Sequence, residues 1–367
     1  MNENDSRVPL PLRNTQPEAD GEQVGAIVGG STGMIDDRDG KPFAGVRCER
    51  RMNESPLPVQ VYRKQGAQAV LEGCWVYALQ HSPFASLAET ALGPVFREKL
   101  IAAPALGYWP RVEHPRTFNE HILHRKHYTD DARFERVSDK YTVREYVAEK
   151  VGIDVLNDLL YATDDPATIP FAEFPEQFVL KATHGAGFVH IVEDKATADF
   201  EAIREECREW LATDFGAPVH EYWYSEIDPR IVVERYIDVE NRKAPRDFKC
   251  YVFDGHVEYI HVDYGRFSRH TRRFYDREWT PMDFRVKYPL GPTIPEPDGL
   301  DEMIAVAERL GEEFAFARVD LFNPDGESVV FGEITLAPGT GQEEFVPVER
   351  DFEFGSNWKR PHPKLVT

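Results

Sequence analysis

The sequence DFKCYVFDGHVEYIHVD, residues 247–263, predicts a β-hairpin. Apolar and β-branched residues flank Asp254-Gly255, and an Asp-Gly pair is the strongest short-range signal for a two-residue hairpin turn. Helical patterns lie on both sides of this hairpin; in LDEMIAVAERLGEEF an apolar residue recurs every three or four positions. Because helices interleave with antiparallel hairpins, we expect an α+β fold and not a parallel, doubly wound sheet.

Other segments have a recognisable periodicity. TFNEHILHRKHY has helical spacing, and Ser138 is positioned to cap a helix through DKYTVREYVAEKVG. FVLKATHGAGFVHIV predicts a strand, a glycine loop and a second strand, and IVVERYI predicts a short buried strand.

The N-terminal residues differ in composition from the rest. Residues 1–58 contain a single aromatic residue, Phe43, which predicts a largely disordered tail because little apolar surface can be buried. Helical patterning starts near Ala67, so residues 59–106 are predicted to be a helical N-terminal segment. The main domain is predicted over residues 107–358, with residues 359–367 as a C-terminal tail.

Charge and composition exclude several classes of protein. The 64 acidic and 43 basic residues give a net charge of −21, which argues against a nucleic acid as the main partner. No apolar run reaches the roughly 20 residues of a membrane-spanning helix, and no signal-peptide pattern is visible. We therefore expect a cytoplasmic chain without a transmembrane segment. The four cysteines lack CxxC spacing, which indicates neither a zinc site nor a disulfide framework.

A second predicted hairpin, RVDLFNPDGESVVFGEITLAPGTG, has charged residues on strands whose other residues are mostly apolar, as in a protein core. A two-residue turn at Asp325-Gly326 would place Glu333 opposite Arg318 and make Asp320 a diagonal neighbour of Glu333, with backbones roughly 7–8 Å apart. Two carboxylates at that separation can share a divalent cation. A solvated strand face with an Arg–Glu pair explains the pattern equally well.

Two further motifs favour a nucleotide site. Gly185 and Gly187 in KATHGAG permit a close approach of backbone N–H groups to phosphate oxygens, and Lys181 leads into that loop. Glu234 ends a buried strand and Asp247 follows after a polar gap, as a hinge for adenine and a carboxylate for ribose would require. Taken singly, each motif is more often a plain turn or an exposed strand end.

The order of these motifs resembles the ATP-grasp superfamily. More closely, HPRTFNEHILHRKHY, SDKYTVREYV, FVLKATHGAG, PRIVVERYI, RDFKCYVFDG, RRFYDREW and GEITLAPGTG resemble its TupA-like branch, which is named for teichuronopeptide biosynthesis. The similarity runs from about Gly107 to Trp358. It implies an ATP-grasp fold in which two α+β lobes, residues 107–235 and 236–358, clamp ATP.

The resemblance also implies roles for individual residues. Arg318 and Lys181 are the implied catalytic residues, with Arg318 stabilising an acyl phosphate. Asp320 and Glu333 are implied to bind Mg²⁺, and Thr335 stands where many relatives have an asparagine metal ligand. The implied ATP-binding residues are Lys140, Lys181, His184, Gly185, Gly187, Glu234, Arg235, Tyr236, Ile237, Asp247 and Lys249.

The implied function is an ATP-dependent carboxylate–amine ligase that uses ATP and Mg²⁺. The implied setting is cell-surface polymer synthesis beside other envelope-polymer enzymes, with a small-molecule or glycan carboxylate, such as a uronic acid or glutamate, and an amine as substrates. Arg266 and Arg273 are candidates for binding an anionic substrate, although a solvated basic loop explains them equally. A sugar- or glycan-directed phosphotransferase and a non-catalytic nucleotide-binding module are the alternative functions.

Overall fold

The computed structural model describes residues 89–237, 246–265 and 269–359. Several predictions lie outside the described residues: the tail 1–58, the part of the predicted helical segment before residue 89, Arg266, and the C-terminal tail after residue 359. The helices are α1 Pro94–Leu106, α2 Phe118–Tyr128, α3 Ala132–Ser138, α4 Val143–Val151, α5 Phe200–Leu211, α6 Gly216–Val219, α7 Leu300–Gly311 and α8 Glu349–Ser356. The strands are β1 Leu159–Thr163, β2 Phe178–Ala182, β3 Val189–Val192, β4 Ile231–Arg235, β5 Asp247–Phe253, β6 His256–Tyr264, β7 Thr271–Asp276, β8 Pro281–Met282, β9 Arg285–Val286, β10 Phe316–Phe322, β11 Val330–Thr335 and β12 Phe345–Val346.

Local sequence signals explain where the predicted helices begin and which face they bury. At the start of α2, the Thr117 side chain accepts a hydrogen bond from the Glu120 backbone, and the Glu120 carboxylate accepts one from Thr117, which forms a capping box. The apolar stripe predicted for this segment is buried, and its members are Leu300, Met303, Ile304, Ala307, Leu310 and Phe314. Phe314 lies beyond the end of α7 at Gly311, and the other five are on the helix. Both helix predictions are confirmed.

The prediction that Ser138 caps a helix is wrong. Ser138 is the last residue of α3, and α4 begins at Val143 with Thr142 as its N-cap residue. Between the two helices, Asp139 Oδ1 accepts a hydrogen bond from the Tyr141 backbone at 2.8 Å. This local bond stabilises a turn in place of the first helical turn, because Asp side chains compete for backbone N–H groups.

All pairings between these strands are antiparallel. One sheet has four strands in the order β1-β4-β2-β3, a second has six in the order β11-β10-β5-β6-β7-β8, and β9 pairs with β12. The α+β prediction is therefore confirmed. No helix among the described residues combines the length and the apolar character needed to cross a membrane.

The first hairpin has the predicted turn. Phe253 pairs with His256, which leaves Asp254 and Gly255 as the two turn residues. Both have positive φ, at 50° and 82°, as the favoured hairpin turn requires.

The register predicted for the second hairpin is wrong. Phe322 pairs with Val330, so residues 323–329 form a longer loop, and the register shifts again after Asp320. Gly332 lies at this irregularity, where a Cβ would come within 2.9 Å of the Asp320 carbonyl oxygen. As a result, Asp320 lies directly opposite Glu333, which brings the two carboxylates closer than the diagonal arrangement would.

Two buried clusters lie against the two sheets. The larger joins the six-stranded sheet to α2, α3, α4, α7 and α8, with Phe118, Tyr251 and Phe354 among its aromatic members. The smaller joins the four-stranded sheet to α5 through residues such as Phe178 and Trp210. Because α3 and α4 pack with the larger cluster, the turn between them can contribute side chains to the space between the sheets.

Candidate active site

A narrow cleft is lined by both sheets and by the turn between α3 and α4. Strands β2 and β4 contribute from the four-stranded sheet, and β11 contributes from the six-stranded sheet. Its polar lining residues are Ser138, Lys140, Arg144, Lys181, Tyr224, Glu234 and Glu333. The fold thus brings together four residues that the sequence predicted for an ATP site: Lys140, Lys181, Glu234 and Glu333.

Lys181 and Glu234 form a buried ion pair in the cleft. Lys181 pairs with Val232 and Glu234 pairs with Val179, so the two charged residues are diagonal neighbours on one face of the sheet. Lys181 Nζ donates to Glu234 Oε2 at 2.7 Å, and an Arg144 guanidinium nitrogen lies 3.6 Å from Glu234 Oε1. Burial raises the pKa of Glu234, but the two cations outweigh it and hold this pKa below its ordinary value.

Lys140 connects the glycine loop to the carboxylates. Its Nζ donates a hydrogen bond to the Gly185 carbonyl, and its backbone N–H donates to the Thr183 carbonyl at 3.4 Å. Burial lowers the pKa of Lys140, with Glu333 opposing the shift and Lys181 adding to it. Lys140 is therefore within electrostatic range of both ends of the cleft.

The glycine loop follows β2 and is closely packed. At Gly185, a Cβ would lie 2.8 Å from side-chain atoms of Phe188 and Phe215. Gly187 has φ 79°, a backbone conformation that favours glycine. Packing and backbone conformation therefore require these two glycines independently of any bound phosphate.

His184, predicted to bind ATP, anchors the loop to α5. Its Nε2 lies 3.0 Å from the Trp210 carbonyl and 3.1 Å from the Thr213 carbonyl, so Nε2 carries the proton and donates. Burial lowers the pKa of His184, which favours the neutral ring. The ring nitrogen with these contacts is directed to the end of α5.

Arg318 is the centre of the polar network on the second hairpin. Its Nε and Nη2 each lie 2.7 Å from a carboxylate oxygen of Asp320. Nη2 also donates to Thr335 Oγ1 at 2.9 Å and lies 3.4 Å from Glu333 Oε1, while the Thr335 hydroxyl donates to Glu333 at 3.1 Å. Burial alone would lower the pKa of Arg318, but Asp320 raises it above its usual value.

Asp320 has a second cation. Lys249, directly opposite on β5, forms ion pairs with Asp320 and, at 2.7 Å, with Asp247. The Asp320 side chain is fully buried, whereas Glu333 retains 11 % exposure and lines the cleft. Asp320 is thus neutralised by protein cations, and Glu333 is the carboxylate that a ligand in the cleft can reach.

The donor set fits Mg²⁺. Asp320 and Glu333 offer hard carboxylate oxygens from directly opposed positions on two strands, and Mg²⁺ prefers one or two such groups together with phosphate oxygens and water. Like Asp320, which is bonded to Arg318 and Lys249, Thr335 already has partners: its hydroxyl donates to Glu333 and accepts from Arg318. A metal-ligand role for Thr335 requires these two bonds to rearrange.

The remaining hinge residues follow β4. Arg235 is exposed and its Nε donates to Asp158 at 2.7 Å, so the side chain is directed away from the cleft. Tyr236 and Ile237 are half-buried, and Ile237 is the last residue of the described range 89–237.

Arg273 lies on the other face of the six-stranded sheet. It pairs with Val262, and neighbouring residues of a strand point to opposite faces. The row of directly opposed residues on the site's face is Glu333, Asp320, Lys249, His261 and Phe274. Arg273 Nη2 instead donates to the Gly291 carbonyl at 2.8 Å, so the structure does not bring Arg273 together with the carboxylates.

Two cleft residues, Arg144 and Tyr224, were missed in the sequence. Arg144 lies four positions after Lys140, and this helical spacing was a usable signal. Tyr224 belongs to the aromatic run EYWYS, which has no periodicity to reveal it. Burial, followed by Glu221 and Glu333, raises the pKa of Tyr224, so its hydroxyl remains protonated and can donate.

Comparison with known proteins identifies the family. The sequence model of the TupA-like ATP-grasp family matches residues 120–359, which is more than half of the 367-residue chain. The chain belongs to the TupA-like ATP-grasp family. All the residues of the Lys181, Glu234 and Arg318 networks lie within the matched region. No curated protein matches the sequence.

Solved structures of ATP-grasp ligases resemble the TupA-like chain at low identity. A D-alanine–D-alanine ligase from Bacillus anthracis is 21% identical, with 56% of this chain and 58% of that chain covered and a TM-score of 0.36. The ATP-grasp ligase PsnB, complexed with a minimal precursor, is 14% identical over 71% of this chain and 66% of that chain, with a TM-score of 0.34. D-cycloserine synthetase DcsG is 12% identical over 61% of this chain and 69% of that chain, with a TM-score of 0.36. The match spans a little over half of the first of these ligases, and the similarities are too distant to assign an activity.

Proposed function

We propose that this TupA-like chain is an ATP-dependent carboxylate–amine ligase that works through an acyl phosphate. The observation that carries the proposal is the position of Arg318, which is buried, bonded to Asp320, and in reach of Glu333 at the cleft. A preorganised guanidinium there can stabilise negative charge on a transferred phosphoryl group. Lys140 and Lys181, which line the same cleft, supply two further cations.

The proposed reaction has two steps. A carboxylate oxygen of the first substrate attacks the γ-phosphorus of ATP, and ADP leaves. The amine then attacks the carbonyl carbon, the bond to phosphate breaks, and the nitrogen loses a proton as the amide forms. Lys140, Lys181 and Arg318 bind and orient the phosphates, and no side chain needs to act as a nucleophile. Bound Mg²⁺, held by Asp320 and Glu333, would supply charge neutralisation at the phosphate oxygens.

The nucleotide is assigned to the same cleft. In the proposal the glycine loop covers the phosphates, Glu234–Ile237 form the adenine hinge, and Asp247 binds the ribose hydroxyls. Each of these groups lies on, or next to, a strand that contributes to the cleft or to the carboxylate network.

The proposed setting is the synthesis of a cell-surface polymer. We assign a uronic-acid or glutamate carboxylate as the acceptor and an amino acid as the amine, because the TupA-like branch, to which the chain belongs, is named for teichuronopeptide biosynthesis. The acidic net charge of −21 fits a small-molecule or glycan substrate better than a nucleic acid.

Hydroxylamine trapping tests the ligase proposal, because hydroxylamine converts acyl phosphates to hydroxamates and leaves phosphoesters intact. The full chain receives ATP, Mg²⁺, pooled uronic acids and glutamyl peptides, and hydroxylamine as the amine. We expect hydroxamate and ADP in equal amounts, both lost in Arg318→Ala and retained in Arg309→Ala, a control on the exposed side of α7. ADP with a phosphorylated sugar and no hydroxamate would instead identify a phosphoester product, which hydroxylamine does not cleave, and hence a phosphotransferase.

A further inference from the structure

A second group of ligand-type side chains lies outside the ATP cleft. Glu98 on α1, His127 on α2 and His220 at the end of α6 converge so that one ligand atom from each lies within 4.8 Å of the others. Glu98 Oε2 is 2.8 Å from His220 Nδ1 and 3.5 Å from His127 Nε2. None of the three lines the cleft.

The group is buried, and one of its nitrogens has no hydrogen-bond partner. The side chains of Glu98 and His127 are 3 % and 5 % exposed, and that of His220 is 14 % exposed. Within the described part of the chain, His127 Nε2 makes no hydrogen bond although it points towards Glu98. A buried imidazole nitrogen beside a carboxylate is costly without a partner, and a cation between them would satisfy both.

Glu98 is oriented by bonds to its other oxygen. Lys126 Nζ and Gln342 Nε2 each donate to Glu98 Oε1 at 2.9 Å. This arrangement leaves Oε2 facing both histidines, in the way that outer hydrogen bonds orient the carboxylates of metal sites.

Arg97 determines how His220 must change when an ion binds. Its Nη1 lies 3.0 Å from His220 Nε2, and because arginine only donates, Nε2 accepts and Nδ1 carries the proton towards Glu98. Ligation through Nδ1 moves that proton to Nε2, which requires Arg97 to release the ring. Arg97 has a second partner, Glu89, at 3.1 Å, so its charge remains paired.

We propose that Glu98, His127 and His220 bind one Zn²⁺ or a similar divalent transition-metal ion. Two imidazoles and a carboxylate form a ligand set that such ions take readily and Mg²⁺ does not. The ion would fasten α1 to α2 and to the segment after α6. It would also fix the turn after β11, because Lys126 donates to the Thr340 carbonyl at 3.1 Å.

Metal titration of the untagged, full-length chain tests the proposal. Zn²⁺ is titrated against a chromophoric chelator in excess Mg²⁺, so that the oxygen-rich ATP site stays occupied by Mg²⁺. We expect one tight Zn²⁺ per chain, and a loss of affinity of at least about 100-fold in His127→Gln and in His220→Asn. His190→Gln is the matched control, because His190 is a half-buried histidine that forms a simple pair with Glu206, at 2.6 Å.

Co²⁺ spectra of the same proteins separate this site from cysteine ligands. Ligation by nitrogen and oxygen gives d–d absorption without a thiolate-to-cobalt charge-transfer band, and we expect that band to be absent. Wild-type affinity in both variants, no tight site in the wild type, or a thiolate band would each overturn the proposal. If His220→Asn fails to fold in chelator, His127→Gln decides the outcome, because His127 Nε2 has no hydrogen bond to lose.

Discussion

Removing the charge of Asp320 and removing that of Glu333 should have different effects on stability and the same effect on ligand binding. Both residues are proposed to bind Mg²⁺, but they lie in different surroundings. Asp320 is fully buried between Arg318 and Lys249, whereas Glu333 is partly exposed at the cleft. Asp320→Asn and Glu333→Gln preserve shape and remove one charge each, so they separate structural from ligand-binding roles.

The contacts set the expected magnitudes. Asp320→Asn breaks buried ion pairs with two cations, and loss of one partner of a buried pair costs about 3–5 kcal/mol. In this variant Lys249 still pairs with Asp247 at 2.7 Å, and Arg318 still lies 3.4 Å from Glu333. We therefore expect the free energy of unfolding to fall by the lower end of that range, about 3 kcal/mol. Glu333→Gln loses a long contact with Arg318 and a favourable charge interaction with Lys140, and its amide oxygen can still accept from Thr335. We expect a decrease of about 1 kcal/mol or less.

Urea unfolding, with and without Mg²⁺ and a non-hydrolysable ATP analogue, measures both effects. At a ligand concentration about 100 times its Kd, the wild type should gain about 2.7 kcal/mol, and both variants should lose the Mg²⁺-dependent part of this gain. Glu327→Gln, an exposed charge in the loop of the same hairpin, should keep it. Full Mg²⁺-ATP stabilisation in Glu333→Gln, or equal costs of the two variants without ligand, would refute the reasoning.

Two further predictions concern other buried charges. Lys181→Met should lower the free energy of unfolding by about 2 kcal/mol, because Glu234 loses its nearest cation and Arg144 lies farther away, at 3.6 Å. It should also weaken ATP binding more than tenfold by calorimetry. In the double variant with Glu234→Gln, stability should recover while ATP binding does not; recovery of both would make the pair purely structural. Burial raises the pKa of Glu221 from 4.5 to about 8, so the folded protein binds one more proton than the unfolded chain between these values and loses stability as pH rises. Between about pH 6 and pH 8, in chelator, the wild type should therefore lose about 2 kcal/mol relative to Glu221→Gln, and parallel pH profiles of the two proteins would contradict this.

The second hairpin illustrates which parts of the site the sequence could predict. Arg318, Asp320 and Glu333 were recognised because charges on apolar strands are conspicuous. The sequence did not predict which of these residues lie opposite one another, because the irregularity at Gly332 and a loop of residues 323–329 change the register. A glycine inside a strand pattern is a signal for such an irregularity, but its position alone does not say how far the register moves.

Contacts between strands that are distant in the sequence could not be predicted for a different reason. Lys181 and Glu234 are both visible as charged residues in apolar strands, yet their ion pair exists only because β2 and β4 are neighbours in the sheet. The same applies to Arg273, whose face depends on the registers of several successive strand pairs. Local patterns fix the elements; alignment between elements decides which charges meet.

The ligand-free site has an electrostatic consequence for how ATP binds. Of the cations near the proposed phosphate site, Lys181, Lys249 and Arg318 are each already paired with a carboxylate. Lys140 Nζ instead donates to the Gly185 carbonyl. A phosphate alone must compete with those carboxylates, and separating a buried pair is costly. Once Asp320 and Glu333 have another counter-charge, Arg318 and Lys249 can turn to the phosphates at little cost, because every charge keeps a partner. The protein's own ion pairs therefore favour joint binding of nucleotide and divalent ion over either one alone.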